Sequence, residues 1–145
     1  MYLFRVNTYM EKIMSSTIKI TSNSANIGTI RVAFATNDNE NIDAHFGSAK
    51  QFNVYEISKD GFDISTIIKI EEKDTDQTVA LLKGMDIVYF INIGPTAAAK
   101  IINSGIFPIK YKEVVTIEDE LKKLVSMLNS NPPPFIKKII EKKAA

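Results

Sequence analysis

Ile30-Arg31-Val32-Ala33-Phe34-Ala35-Thr36 is a short, nearly continuous apolar run, the pattern of a buried β-strand. It runs into Asn37-Asp38-Asn39-Glu40-Asn41, a polar cluster that reads as a turn. Residues 41–47 then read as a loop and residues 48–50 as one helical turn. Residues 52–58 alternate and are rich in β-branched and aromatic side chains, as a strand is. Lys59-Asp60-Gly61 is a hairpin signal, so residues 62–70 form the next strand, antiparallel to the last. After it the period changes. Thr75 or Asp76 caps a helix reaching Leu82 and stopped by Gly84. Residues 87–91 are a fully apolar strand, Gly94-Pro95-Thr96 leads into a helix over 97–103, and Gly105 separates this from a last strand over 106–111. Thr116 opens a capping box with Asp119, and Leu121, Leu124, Val125 and Leu128 follow at helical spacing. A hairpin followed by alternating helix and strand predicts an α/β fold, a mixed five-stranded sheet with flanking helices.

Outside this block the character of the chain differs. Residues 1–29, with Ser, Thr and Asn concentrated at 15–17 and 21–26, read as a flexible N-terminal arm carrying a short helix over 9–14. Asn131-Pro132-Pro133-Pro134 reads as a stiff extended link. The basic tail beyond it has Ile136, Ile139 and Ile140 on one side and reads as a helix packed on the domain. The expected organisation is an arm over 1–29, one domain over 30–130, and a link with a basic C-terminal helix over 131–145.

At 145 residues, 45% of them hydrophobic, the chain can bury one core without covalent staples. A formal net charge of +1 with 24% charged residues gives no global attraction to nucleic acid or to an anionic membrane. No apolar run approaches the roughly 20 residues of a bilayer span, and residues 1–16 lack the pattern of a secretory signal, so a cytoplasmic location is expected. The absence of cysteine excludes thiolate-held clusters, zinc ribbons and redox pairs. Any soft metal bound here brings its own sulfides or takes other ligands.

His45 is the one histidine of the sequence. It stands in Asp43-Ala44-His45-Phe46-Gly47, after the first strand of an α/β sheet, where ligands bind near strand carboxyl ends. Imidazole suits iron, zinc and copper. Phe46 can supply an apolar wall, and Gly47 permits close backbone approach. Taken alone, a single loop histidine is more often a hydrogen-bonded structural residue. The second candidate is Ile91-Asn92-Ile93-Gly94-Pro95-Thr96-Ala97, a strand turning into a helix whose free N–H groups can seat an anion. Its plain reading is an ordinary strand-to-helix turn. Both segments end strands and can face one crevice.

Together, Ile30 to Thr36, the Asp43-Ala44-His45-Phe46-Gly47-Ser48-Ala49 segment and Phe52-Asn53-Val54-Tyr55-Glu56 resemble the dinitrogenase iron–molybdenum cofactor-binding family of the NifX and NafY type. The likeness continues through Met85-Asp86-Ile87-Val88-Tyr89, Ile93-Gly94, Ala97-Ala98-Ala99-Lys100 and Gly105-Ile106-Phe107-Pro108-Ile109-Lys110. It ends on Asn131-Pro132-Pro133-Pro134-Phe135. The resemblance implies a ribonuclease-H-like single domain. It also implies transient binding of the iron–molybdenum cofactor or its iron–sulfur precursor during nitrogenase assembly. The histidine of the family's His-Phe-Gly motif binds the cluster, a role that falls on His45. Phe46, Gly47, Asn92, Gly94 and Pro95 are then the surrounding cofactor-binding residues, and cluster-donating and cluster-accepting assembly proteins are the partners. Lys50 and Lys100 are candidate counter-charges. One departure is Ile93-Gly94-Pro95, where relatives carry Gly-Gly-Pro.

Two other classes compete. A ribonuclease-H-like nuclease needs carboxylates gathered on neighbouring strands to hold two magnesium ions. The first strand contains no acid, and Asp86 precedes its strand rather than ending it. A serine or cysteine nucleophile is not supported either, since there is no cysteine and Ser48 has no evident triad. A non-catalytic docking module for an assembly protein is the remaining alternative, served by the lysines of the tail. The expectation is a carrier and not an enzyme.

Overall fold

The computed structural model describes residues 29–144, so almost all of the expected arm, including its short helix, lies outside the described residues. The central strand β1, Ile30–Thr36, is buried along both faces apart from Arg31. That explains its unbroken apolar run, since each face meets a different core. Val32 and Phe34 point into one core and Ala33 and Ala35 into the other.

β3 (Gln51–Ser58) pairs antiparallel with β1, and β4 (Gly61–Lys69) pairs antiparallel with β3 through the expected two-residue turn. On the other side of β1, β5 (Ile87–Phe90) and β6 (Phe107–Lys110) run parallel to it. The five-stranded sheet therefore has the order β4-β3-β1-β5-β6. The expected α/β class and mixed sheet are what the chain forms.

Four helices of the described residues cover the two faces. α1 (Thr75–Leu81) and α2 (Pro95–Asn103) lie over one face, contributing Val79, Ala97 and Ile101 to its core. α3 (Ile117–Asn129) and α4 (Pro134–Ala144) lie over the other, where Leu121, Leu124, Leu128 and Ile136 meet Val32, Phe34 and Tyr89. Ile136 is 0% exposed, so the basic tail is anchored as a helix on the domain. Gly84 and Gly105 follow α1 and α2 with φ of +96° and +84°, backbone that a side chain at Cβ resists.

Several boundaries differ from the sequence reading. The cap of α1 is Asp74, whose carboxylate accepts the N–H groups of Asp76 and Gln77. α2 begins at Pro95 rather than Ala97, because proline fits the first helical position, where its missing N–H costs nothing. The same logic places Pro134 inside α4, with the Pro133 carbonyl accepting from Ile136 and Lys137. The loop expected over 41–47 opens with β2 (Asn41–Ile42), which pairs antiparallel with β7 (Val115–Thr116) in a small second sheet. The helical turn expected over 48–50 is a 3₁₀ turn over Phe46–Ser48 instead.

Candidate functional site

β1 and β5 are parallel neighbours at the middle of the sheet, and the chain leaves their carboxyl ends in different directions. Such a divergence opens a crevice in α/β sheets. After β1 the chain turns through Asn37 to Asn41, held by Asp38, whose carboxylate accepts the N–H groups of Glu40 and Asn41 and the Asn41 side-chain amide. Those bonds, led by the Glu40 N–H, pull its pKa down to about 2. Asn39 takes φ of 72° within this turn, a backbone region that asparagine tolerates.

The returning segment is fastened to the end of β5 by backbone bonds. Ile91 donates to the Ala44 carbonyl at 2.9 Å and Phe46 donates to the Asn92 carbonyl at 2.8 Å, so His45 and Asn92 form a parallel bridge one step beyond the sheet. The imidazole is thus carried on extended backbone (φ −74°, ψ 146°) with its side chain exposed. Phe46 points the opposite way. Only 3% exposed, its ring packs 5.6 Å from that of Phe52 and 6.2 Å from that of Phe90. The sequence reading made Phe46 a wall of the site. Here its ring belongs to the core, where it anchors the turn that presents His45.

A shallow depression of about 360 Å³ is lined by His45, Gly47, Ser48, Asn92, Ile93 and Gly94. Four of the six residues expected from sequence therefore come together. Pro95 stands just beyond as the first residue of α2, exposed to solvent. Ser48 and Ile93 were missed. Ser48 is brought in by the 3₁₀ turn, and no periodic signal announces either one. Gly94 caps α2 without a side-chain bond to the helix, which leaves first-turn N–H groups to solvent or to an anion. Asn92 uses its side-chain oxygen to accept the Ile93 N–H at 2.9 Å.

Of the two lysines expected as counter-charges, Lys50 is exposed and does not line the depression. Lys100 is tied to Asp76 at 2.5 Å, linking α2 to α1. Lys73, from the segment before α1, instead donates to the Ser48 carbonyl at 3.3 Å. The Asp43 carboxylate accepts the Asn37 N–H at 2.8 Å. Among the described residues no three histidine or acidic side chains gather at metal-holding distance. A metal-bearing ligand at this place meets one imidazole, backbone N–H groups and little else. No helix of the described residues is long and apolar enough to cross a membrane.

The sequence and the fold are both similar to those of known proteins. The family model described as dinitrogenase iron-molybdenum cofactor matches residues 28–127. Protein NifX of Rhodobacter capsulatus is 37% identical over 123 residues, covering 77% of each chain. The FeMo cofactor biosynthesis protein NifB of Sinorhizobium fredii is 36% identical over 93 residues, which are 57% of this chain and 19% of that one. Among solved structures, the fold resembles that of PH0822 with a TM-score of 0.57 at 22% identity, covering 67% of this chain and 89% of that one. With the family match spanning the whole sheet and both sides of the depression, the chain belongs to the dinitrogenase iron–molybdenum cofactor family.

Proposed function

We propose that the protein is a non-catalytic cytoplasmic carrier. Its cargo is the nitrogenase iron–molybdenum cofactor or the iron–sulfur precursor of it, bound during cofactor assembly with His45 as the protein ligand to the metal. The observation that carries the reading is the placement of the sequence's one imidazole. It is exposed in a depression beside an uncapped helix start and held there by backbone bonds to the end of β5. Family membership and the likeness to a FeMo cofactor biosynthesis protein support a role in that assembly.

The chemistry of the site suits cargo that must leave. A cluster with its own sulfides needs no thiolate from the chain. A single imidazole makes an attachment that a better-equipped acceptor can displace. Gly47, Asn92 and Gly94 line the depression beside the imidazole with small or polar groups, Pro95 opens α2 just beyond them, and the N-terminus of α2 favours the negative charge of such a cluster. Phe46 contributes from beneath by fixing the turn. Residues 30–130 form the cofactor-binding domain, with the link that follows and α4 docked on it. The partners are the assembly proteins that donate and accept the cluster.

The test is anaerobic mixing of the purified protein with the isolated precursor or finished cofactor, then gel filtration with iron and molybdenum quantified. Wild type is expected to carry iron through the column and His45→Ala to lose it. Molybdenum content distinguishes the finished cofactor from the precursor. Retention of iron by neither protein would favour a docking module without cargo, and magnesium-dependent cleavage of RNA–DNA hybrids would overturn both readings.

A further inference from the structure

A larger concavity lies at the opposite end of the sheet. His45, Asn92 and Gly94 follow the carboxyl ends of the strands, whereas this groove opens at Asp86 and Ile106, immediately ahead of β5 and β6. Its volume is about 610 Å³, within the range of roughly 300–1,000 Å³ common for small-molecule sites. The walls come from three elements of the described residues. Ile102 and Gly105 stand at the end of α2, Phe107 and Pro108 on the edge strand β6, and Phe135 and Ile139 on α4. The rings of Phe107 and Phe135 stack with centroids 4.5 Å apart. Ile102 remains 57% exposed and Phe107 42% exposed, so apolar surface continues from the groove onto its rim.

The charge on the rim is one-sided. Asp86 is already engaged, accepting the Arg31 N–H at 2.8 Å and pairing with Lys143 at 3.0 Å. Lys138 and Lys142 also line the groove, and among the described residues no carboxylate pairs with either. The Lys142 ammonium folds back over Gly105, 3.3 Å from where a Cβ on that residue would stand. A long stem laid on apolar surface with its charge at the mouth is the usual posture of a lysine beside an apolar site. The groove thus has an aromatic and aliphatic floor, one neutralised carboxylate and two uncompensated ammonium groups.

We propose that this groove is a second binding site, for a small amphipathic anion with an aliphatic or aromatic body and one carboxylate or sulfonate head. The body lies on the floor made by the stacked Phe107 and Phe135 rings, against Ile102 and Ile139, and the head lies between Lys138 and Lys142. A neutral ligand of the same shape gains only the apolar part, and a cationic one meets like charge. Because the groove and the His45 depression lie at opposite ends of the strands, this site does not depend on the carrier reading.

Octanoate, octanol and octylammonium share one chain and differ only in the head, so they make the probe set. Calorimetric titration of the full chain is combined with methyl NMR shifts of isoleucine. The expected result is saturable octanoate binding at one per chain, with shifts at Ile102, Ile106 and Ile139, and weaker binding of octanol and octylammonium. The exposed pair Lys138→Gln/Lys142→Gln is expected to weaken octanoate about tenfold, the sum of two partly screened ion pairs, and Ile102→Glu is expected to weaken it further. His45→Ala binds octanoate as wild type does. The proposal is overturned by absent saturation, by octanol binding as tightly as octanoate, or by indifference to the lysine pair. It is also overturned by concentration-dependent self-association that Ile102→Glu abolishes, which would place a second copy of the chain in the groove.

Discussion

Replacing Phe46 separates the anchoring of the His45 turn from the chemistry of His45 itself. The ring is 3% exposed between Phe52 and Phe90. Burial of an aromatic side chain of roughly 200 Å² at about 25 cal/mol/Å² is worth ~5 kcal/mol, of which an alanine methyl retains a small part. Phe46→Ala is therefore expected to cost about 3–5 kcal/mol, in line with other truncations of buried aromatics. Against a total stability of roughly 5–15 kcal/mol this is a large fraction. Phe46→Leu keeps most of the volume and is expected to cost about 1 kcal/mol. His45→Ala, one residue away and exposed, is expected to stay within ~0.5 kcal/mol of wild type. Urea unfolding followed by far-ultraviolet circular dichroism measures all three, the chain having no tryptophan. If Phe46→Ala cost less than ~1 kcal/mol, or His45→Ala cost more than ~2 kcal/mol, the assignment of one side chain to the core and its neighbour to the surface would be refuted.

The backbone N–H groups and the Asn41 amide around Asp38 hold its carboxyl at about 2, below the usual carboxylate range. The stabilisation it gives is present above about pH 4 and lost as pH falls toward 2. Asp38→Asn is expected to flatten the acid limb of stability between those values, as acid titration of both proteins would show. On the other face of the sheet, Tyr111 donates to Glu120, a buried carboxylate, and stacks on Tyr89. Burial, with Glu120 nearby, raises both phenols above their usual range. Their contribution is therefore whole below pH 10 and lost above it, and alkaline unfolding is expected to begin there. Tyr111→Phe strands the Glu120 carboxylate and is expected to cost about 1–3 kcal/mol, whereas Tyr89→Phe removes a hydroxyl with no hydrogen-bond partner among the described residues and is expected to cost less than ~1 kcal/mol; denaturant midpoints decide between them. Ile136→Ala should cost about 2–4 kcal/mol in the same assay if α4 is anchored as its burial indicates.

Much of the fold was legible because local chemistry and tertiary environment agree. β1 reads as a strand from its apolar run because both of its faces are covered. The β3–β4 hairpin follows from Lys59-Asp60-Gly61, and Thr116 caps α3 by accepting the Asp119 N–H as its spacing suggests. What escaped the sequence depends on partners far along the chain. β2 and β7 are two residues each, too short for any period, and exist only because they meet each other. Phe46 gave no sign of its direction, since a three-residue motif in a turn carries no alternation. Lys100 looked like a free cation until α1 brought Asp76 beside it, and Lys73 was overlooked because its contact is to the Ser48 backbone. The groove beside α4 was invisible because it joins three elements through Gly105, Phe107 and Phe135.

The central claim is that the His45 imidazole binds the metal of the cargo. Because His45 is the one histidine in the sequence, growth with ¹⁵N-histidine labels that ligand alone. The direct measurement is the electron spin-echo modulation of the cluster-loaded protein, in a paramagnetic oxidation state, with and without this label. A coupled ¹⁴N imidazole signal that changes to the ¹⁵N pattern on labelling, and is absent from His45→Ala, is the predicted result. A loaded protein whose nitrogen modulation is missing, or is indifferent to the label, would contradict it.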